Sequence, residues 1–336
     1  MLRIWWLLLI LCPANLVAAA ENSAPLPAKK VQFVGEPVPL PTLARAFQEK
    51  SGIELDVSAL DQTKRVAADF DRVDFWTAVE RLAKRTDSRI VVAGGKVILK
   101  PGPSKSPSAV SGAFRFTLRE ILIRGDVEAG TATYEVVLEV AWEPGRHVYR
   151  IDGVPKITAA KDDTGAELSV AAGGSRTLTS GNTATLTVRP LGLTRGVKTL
   201  SLKGTVMVTI ADRLLTFEFN ANGPLGPAPA QEGVSVNLTK SAADGKDWVA
   251  EVQLNYPKGE VTWESHEYAW HRNNVMRLLP PKGEPIKADD VSHADFRYGF
   301  KNRAKDVGPG WKLDYRTPGP MREIVVPFEL KDIKLP

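Results

Sequence analysis

Asp163-Thr164-Gly165-Ala166 has the residue types of a loop that could activate water. Loops of this kind bring two carboxylates about 3 Å apart, where they share one proton. One loop per chain would suffice if a dimer supplied the second. The strand entering such a loop is normally apolar, whereas this one ends in Ala160-Lys161-Asp162. Because aspartate and glycine are standard turn residues, we predict a hairpin turn here and rank a dimeric aspartic protease centred on Asp163 below it.

A second segment, His266-Glu267-Tyr268-Ala269-Trp270-His271, superficially suggests a zinc protease. That chemistry needs two histidines at i and i+4 on one helical face, with a glutamate beside the metal. The spacing here is i, i+5, and the alternating aromatic residues favour a strand, on which the two histidines would face opposite sides. No Gly-x-Ser-x-Gly elbow or phosphate-binding glycine loop occurs either. We therefore predict no catalytic residue, no metal site and no cofactor.

Aromatic residues are concentrated in the last third of the chain. They are Trp263, Tyr268, Trp270, Phe296, Tyr298, Phe300, Trp311 and Tyr315. Exposed aromatic rings can stack on sugars or anchor a protein partner, whereas buried ones fill a core. We name Trp263, Tyr268 and Trp270 as possible partner or glycan contacts, together with Trp76, which lies beside the apolar stripe of a predicted helix. Filling of the core is the competing interpretation for the C-terminal group.

The composition is that of a globular protein. Hydrophobic residues make up 43% of the 336 residues and charged residues 25%, which is enough to build buried cores. The formal net charge is +5, but basic and acidic residues are interspersed and no Lys/Arg run follows a phosphate backbone. We therefore predict no nucleic-acid partner.

The first 20 residues have the pattern of a secretory signal peptide. Arg3 precedes the apolar run Ile4 to Leu11, and Ala18-x-Ala20 is a small-residue cleavage pattern. The run is too short to span a bilayer, so we expect no transmembrane segment in the mature chain and a location in the periplasm or outside the cell. An uncleaved anchor stays open, as does lipidation of Cys12, although Leu11 occupies the place where a lipobox needs a small residue. Cys12 is the only cysteine, so the mature chain can form no disulfide.

Two stretches rich in proline, glycine and serine predict flexible linkers at 102–111 and 223–232. They divide the mature chain into predicted domains at 29–101, 112–222 and 233–336.

Segment 29–101 predicts a small α+β domain. Leu40, Leu43, Ala44 and Phe47 have helical spacing. A second helix is predicted after Asp74, a suitable N-cap, with alternating strand patterns before and after each helix. The predicted order is strand, helix, strand, strand, helix, strand, strand.

This segment resembles the STN family, the short N-terminal domain shared by secretins and TonB-dependent receptors. The resemblance lies in the segments Val38-Pro39-Leu40-Pro41-Thr42-Leu43-Ala44-Arg45-Ala46-Phe47, Gly52-Ile53-Glu54-Leu55-Asp56-Val57, Val73-Asp74-Phe75-Trp76-Thr77-Ala78-Val79-Glu80-Arg81-Leu82 and Val97-Ile98-Leu99. It covers about a fifth of the chain and contains no invariant chemical motif. It implies a periplasmic α+β module that contacts other envelope proteins. The family usually precedes an outer-membrane barrel, for which the remaining length is too short, so channel or receptor activity is not implied.

The other two segments predict two immunoglobulin-like β-sandwich domains. Tyr134 to Trp142, Val206 to Ile210 and Val234 to Leu238 alternate apolar and polar residues, and turn residues separate the strands. The C-terminal tail, from Tyr315 to Pro336, resembles the tails of uncharacterised secreted bacterial proteins and implies no activity. The predicted fold is therefore an α+β N-terminal module followed by mainly-β domains.

The function predicted from these features is binding rather than catalysis. The chain is expected to be a non-catalytic exported envelope protein that binds other envelope proteins through its N-terminal module and its sandwich surfaces. Carbohydrate binding by the C-terminal aromatic residues is the alternative.

Overall fold

The computed structural model describes residues 26–126, 128, 131–171, 176–179, 181–193, 196–257, 261 and 270–336. The predicted signal peptide, with Cys12, lies outside these residues. The described chain is mainly β, with an α+β part at its N-terminal end and several antiparallel sheets, as the sequence predicted at this level. No helix in these residues has the length and apolar character that crossing a membrane requires.

The N-terminal unit has the predicted order of elements. These are β1 (Lys30–Pro39), α1 (Leu40–Ser51), β2 (Leu55–Asp56), β3 (Arg65–Asp74), α2 (Phe75–Thr86), β4 (Ser88–Ala93) and β5 (Lys96–Pro101). Strands β1 and β3 form an antiparallel ribbon, and β2, β5 and β4 form a three-stranded sheet in that order. Both helices bury the predicted stripe, and Phe47 packs edge-on against Phe70 with ring centroids 5.4 Å apart.

The helix ends follow local backbone chemistry. α1 begins after Pro39, with Pro41 in its first turn, where the missing N–H is not needed. It ends at Gly52, whose φ of 69° is left-handed and whose N–H donates to the carbonyl of Gln48. Asp74 occupies the N-cap position of α2 but does not cap it. Its carboxylate instead pairs with Lys30 Nζ at 2.5 Å, because β1 lies beside β3 at this point.

The central unit consists mainly of two sheets that share one core. Its strands are β6 (Ser108–Ser111), β7 (Phe114–Asp126), β8 (Thr131–Trp142), β9 (His147–Asp152), β10 (Lys156–Asp162), β11 (Ser169–Val170), β12 (Arg176–Leu178), β13 (Thr183–Val188), β14 (Pro190–Leu191) and β15 (Thr199–Ala211). The first sheet has the order β13-β8-β7-β6. In the second sheet, β10 and β9 pair with successive parts of β15, Leu200–Thr205 and Val208–Ala211, and β12 pairs with β9.

The C-terminal unit also has two sheets around a core. Its strands are β16 (Leu214–Asn220), β17 (Gly226–Pro227), β18 (Ser235–Asp244), β19 (Asp247–Asn255), β20 (Val275–Leu279), β21 (Ile286–Lys287), β22 (Asp290–Ser292), β23 (Arg297–Phe300) and β24 (Lys312–Pro318). The sheets have the orders β16-β24-β20-β21 and β17-β18-β19-β23-β22. Tyr298, Phe300 and Tyr315 are fully buried between them, so these three aromatic residues fill the core.

The last strand, β25 (Met321–Lys334), does not belong to this unit. It pairs with β15 along nearly its whole length, and its Phe328 stacks on Phe116 of the opposite sheet with ring centroids 4.8 Å apart. Conversely, β16 pairs with β24. The predicted boundaries at 112–222 and 233–336 therefore differ from the strand pairing, because the chain crosses between the units twice, after β15 and after β24.

The two crossings lie side by side. The Gly319 N–H donates to the Arg213 carbonyl at 2.9 Å, and Arg322 Nη2 lies 3.0 Å from Asp212 Oδ1. A connection as short as Asp212-Arg213 normally makes a hairpin within one sheet. Here it moves the chain from one sheet to another, and the returning crossing stabilises it.

Each predicted linker contains a short β-strand. Residues 108–111 form β6, an edge strand beside β7, and residues 226–227 form β17 beside β18. β6 itself contains no proline, and Pro107 lies directly before it, where a strand can begin. The first linker is therefore shorter than predicted.

Candidate binding surfaces

The Asp163 motif forms a turn, as predicted. Asp162 Oδ1 accepts hydrogen bonds from the backbone N–H groups of Thr164 and Ala166 and from the Thr164 hydroxyl. The Thr164 hydroxyl and these amides lower the pKa of Asp162. Gly165 has a φ of 86°, which the turn needs. Asp163 Oδ2 accepts from the Lys198 N–H at 2.9 Å, so this carboxylate ties the turn to the neighbouring chain segment.

Trp270 is buried between the central and C-terminal units. It is 7% exposed and contacts an apolar cluster with Tyr149, Ala211 and Met321, beside the two crossings. Tyr256 packs on it with ring centroids 5.1 Å apart and donates its hydroxyl to the Gly319 carbonyl. The indole thus fills a cluster between units instead of standing open to a sugar ring. The other two proposed contacts of this region, Trp263 and Tyr268, lie outside the described residues.

Trp76, named from the sequence as a possible partner or glycan contact, is not exposed. Its side chain is fully buried, it packs edge-on against Phe75, and its Nε1–H donates to the Ala113 carbonyl at 3.0 Å. Trp76 lies on the face of α2 that is turned toward the central unit. The helical pattern placed Trp76 beside the stripe correctly, but a second unit covers that side of the helix.

Two histidines that are 22 positions apart in sequence come together in the C-terminal unit. The rings of His271 and His293 have centroids 6.4 Å apart, and Phe296 packs on His271 at 5.2 Å. Burial is the main cause that lowers the pKa of both imidazoles, and Arg272 adds to it. Within the described part of the chain, no group of three or more side chains is arranged to hold a metal ion. His266 lies outside that part.

No protein-family model, curated protein or solved structure matches this chain.

The junction between the N-terminal and central units contains a buried carboxylate, Glu143. Its side chain is fully buried; Oε1 accepts the Lys29 backbone N–H at 2.8 Å and Oε2 accepts Arg146 Nε at 3.1 Å. Burial raises the pKa of Glu143, and these hydrogen bonds only partly oppose it. Burial and the Arg146 charge lower the pKa of Lys29. This group joins the start of β1 to the turn after β8.

We predict that Glu143→Gln changes the pH dependence of stability. The folded-state pKa of Glu143 lies above the ordinary carboxyl value of 4.5, so the folded protein binds this proton more tightly than the unfolded chain. The free energy of unfolding should therefore fall as the pH rises from 4.5 through the raised pKa, and then level off. Urea titrations of the wild type and the variant at several pH values across this range measure the free energy of unfolding of each protein. The free energy of unfolding of the wild type minus that of the variant should decrease as the pH rises. A difference that does not change with pH would contradict the prediction.

An arm of two strands extends beyond the first sheet of the central unit. Strand β13 covers the edge of β8 only as far as Val136, and β6 pairs with β7 only over Phe114 to Thr117. Beyond these points, residues 122–126 and 131–135 form backbone strand pairs only with each other among the described residues, and Glu135 makes an ion pair with Arg189. The sequence alternation predicted β8, but nothing in it indicated where the neighbouring strands stop.

One face of this arm is apolar. Ile121 and Val136 pair across the strands and face the core of the central unit. Ile123 and Tyr134 form the next pair on the same face, and Ile123 is 43% exposed. Arg124 and Thr133 lie on the other face. The face that builds the core thus continues past the point where the opposite sheet covers it.

A cavity of about 350 Å³ lies at the junction of the first two units. Its walls come from α2, the start of β4, the segment 103–108 and β7. The polar side chains that line it include Glu80, Lys84, Asp87, Ser104, Ser106 and Arg115. These positions are spread over 36 residues, and the proline- and serine-rich stretch signalled a linker rather than a cavity wall, so the sequence did not reveal the cavity.

Proposed function

We propose that this chain is an exported, non-catalytic envelope protein that binds another envelope protein. The observation that carries the proposal is the arm with its exposed Ile123–Tyr134 face. A partly exposed apolar face, on a ribbon whose outer part pairs with no other described strand, offers both side-chain burial and backbone hydrogen bonds to a partner. The signal-peptide pattern at residues 1–20 supports export to the periplasm or beyond.

The order of elements in the N-terminal unit supports an STN-like module within this proposal. The two-sheet cores of the central and C-terminal units are compatible with immunoglobulin-like sandwiches. In this proposal the three units form a scaffold whose packed junctions present the arm to the partner.

Ile123→Glu should abolish partner capture without unfolding the protein. A charge on the exposed apolar face would have to be desolvated on binding, which costs far more than the contact gains. Pull-down from the native envelope after cross-linking should recover the partner with the wild type and lose at least nine-tenths of it with the variant. Thr133→Glu, which adds the same charge to the opposite face of the same arm, is the matched control and should bind like the wild type. Equal capture by both variants would contradict the proposal.

Carbohydrate binding through the C-terminal aromatic residues stays a second proposal with narrower support, since Trp270 is buried and Trp263 and Tyr268 lie outside the described residues. A dimeric aspartic protease centred on Asp163 ranks below it, since the motif forms a turn held by Asp162.

A further inference from the structure

We propose that the junction cavity binds a small, neutral, hydroxyl-rich molecule such as a monosaccharide unit. This site is separate from the arm and does not depend on the partner proposed above. Its volume of about 350 Å³ is at the small end of the range for ligand pockets, which suits a ligand of one ring.

The cavity contains a paired acceptor and donor, Glu80 and Arg115. Glu80 Oε1 accepts from Arg115 Nε at 2.9 Å and from the Ser108 hydroxyl at 2.6 Å. Arg115 Nη1 donates to Thr117. Among the described residues, this leaves Glu80 Oε2 as an acceptor and Arg115 Nη2 as a donor without hydrogen-bond partners. Arg115 is only 5% exposed, so its remaining N–H groups gain most from a ligand.

This pair favours a hydroxyl over an ion. A hydroxyl group can donate to the carboxylate and accept from the guanidinium at the same time. An anion placed here would meet the Glu80 carboxylate, and a cation would meet Arg115. For either ion, the attraction to the residue of opposite charge would be offset by repulsion from the residue of like charge.

A second donor–acceptor pair lines the same cavity. Lys84 and Asp87 lie three positions apart at the C-terminal end of α2, and neither forms an ion pair with another described residue. Lys84 can donate to, and Asp87 can accept from, further hydroxyl groups of the ligand. Ser104 and Ser106 add hydroxyls that both donate and accept, and Ala83, Ile90 and Pro103 offer apolar contact for the carbon face of a ring.

The sharpest test replaces the acceptor without changing its shape. In Glu80→Gln the Oε1 position can keep Arg115 and Ser108, while an NH₂ donor takes the place of Oε2. The site then presents two donors side by side. A hydroxyl can accept from both, but it loses the acceptor for its own proton, which stays unpaired in the cavity. Saturation-transfer NMR of the full-length mature protein with D-glucose and N-acetylglucosamine should show transfer to at least one sugar, and affinity should fall about tenfold or more in the variant.

A variant that blocks the cavity provides an independent test. Ser106→Leu should fill the cavity and remove the signal, whereas Lys105→Leu, on the same segment but outside the cavity lining, should keep it. Unchanged thermal unfolding midpoints confirm that the variants fold. Absence of transfer from both sugars at millimolar concentration would overturn the proposal. So would equal transfer in Ser106→Leu and Lys105→Leu, or binding of glycine or acetate in place of the sugars.

Discussion

A chain that ends at Pro318 is expected to lose the fold of its central unit, although the deletion begins more than 100 residues after that unit. The deletion removes β25, which pairs with β15 from Thr199 to Ala211 and closes one edge of the second sheet. It also removes Ile324, Val326, Phe328, Leu330 and Ile333 from the central core, where each of them is at most 4% exposed.

The size of this effect follows from burial. Each large apolar side chain contributes roughly 1.5–3 kcal/mol when it is fully buried. Five such losses approach the whole stability of a domain, which is about 5–15 kcal/mol. The C-terminal unit keeps β16 and β24 in the shortened chain, so it should stay folded.

Hydrogen exchange measures this prediction directly. The amides of β15 should exchange freely in the shortened chain, while those of β19 and β24 stay protected. Adding a synthetic peptide of residues 319–336 should restore protection of β15. The same peptide with Ile324→Asp and Val326→Asp is the matched control and should not. Full protection of β15 without any peptide would show that β25 is dispensable.

The second large effect is expected for Trp76→Ala. This side chain is fully buried at the junction, against Phe75 and beneath the central unit. Truncation of a buried tryptophan to alanine costs about 3–5 kcal/mol, because packing contacts are lost and a cavity forms. We expect the N-terminal unit to unfold at clearly lower urea concentration and to release its contact with the central unit.

Trp76→Phe separates packing from hydrogen bonding. It keeps a large ring but removes the indole N–H. The Ala113 carbonyl still accepts from the Glu143 N–H at 3.0 Å, so it does not become unpaired. The loss from the hydrogen bond should therefore be only about 1 kcal/mol. Urea unfolding should rank the three proteins wild type, Trp76→Phe, Trp76→Ala in order of decreasing stability. Equal losses in the two variants would show that packing is not the main term.

The N-terminal unit could be predicted because its signals are local. Helix α1 is signalled by the spacing of Leu40, Leu43 and Phe47, and its end by Gly52, which adopts the left-handed backbone conformation. Both signals depend only on neighbouring residues. The turn at Asp163 is local in the same sense. The exchange of β16 and β25 between units could not be predicted, because alternation along a strand indicates a buried face but not the partner strand.

The candidate sites could not be predicted from the sequence for a related reason. Trp76 lies beside the helix stripe as predicted, but its burial depends on a unit that begins more than 30 residues later. The cavity takes Glu80 and Arg115 from different units, so neither segment alone contains its chemistry. The arm is visible only when the ends of β6 and β13 are known.

The partner-binding account is tested most directly by a cross-link from the arm itself. The predicted mature chain contains no cysteine, so Ile123→Cys can be labelled at one position with a photoreactive group. In the native envelope, irradiation should join this position to one envelope protein, and Thr133→Cys labelled in the same way should give at least tenfold less of that product. Equal cross-linking from both positions, or none from position 123, would contradict the account.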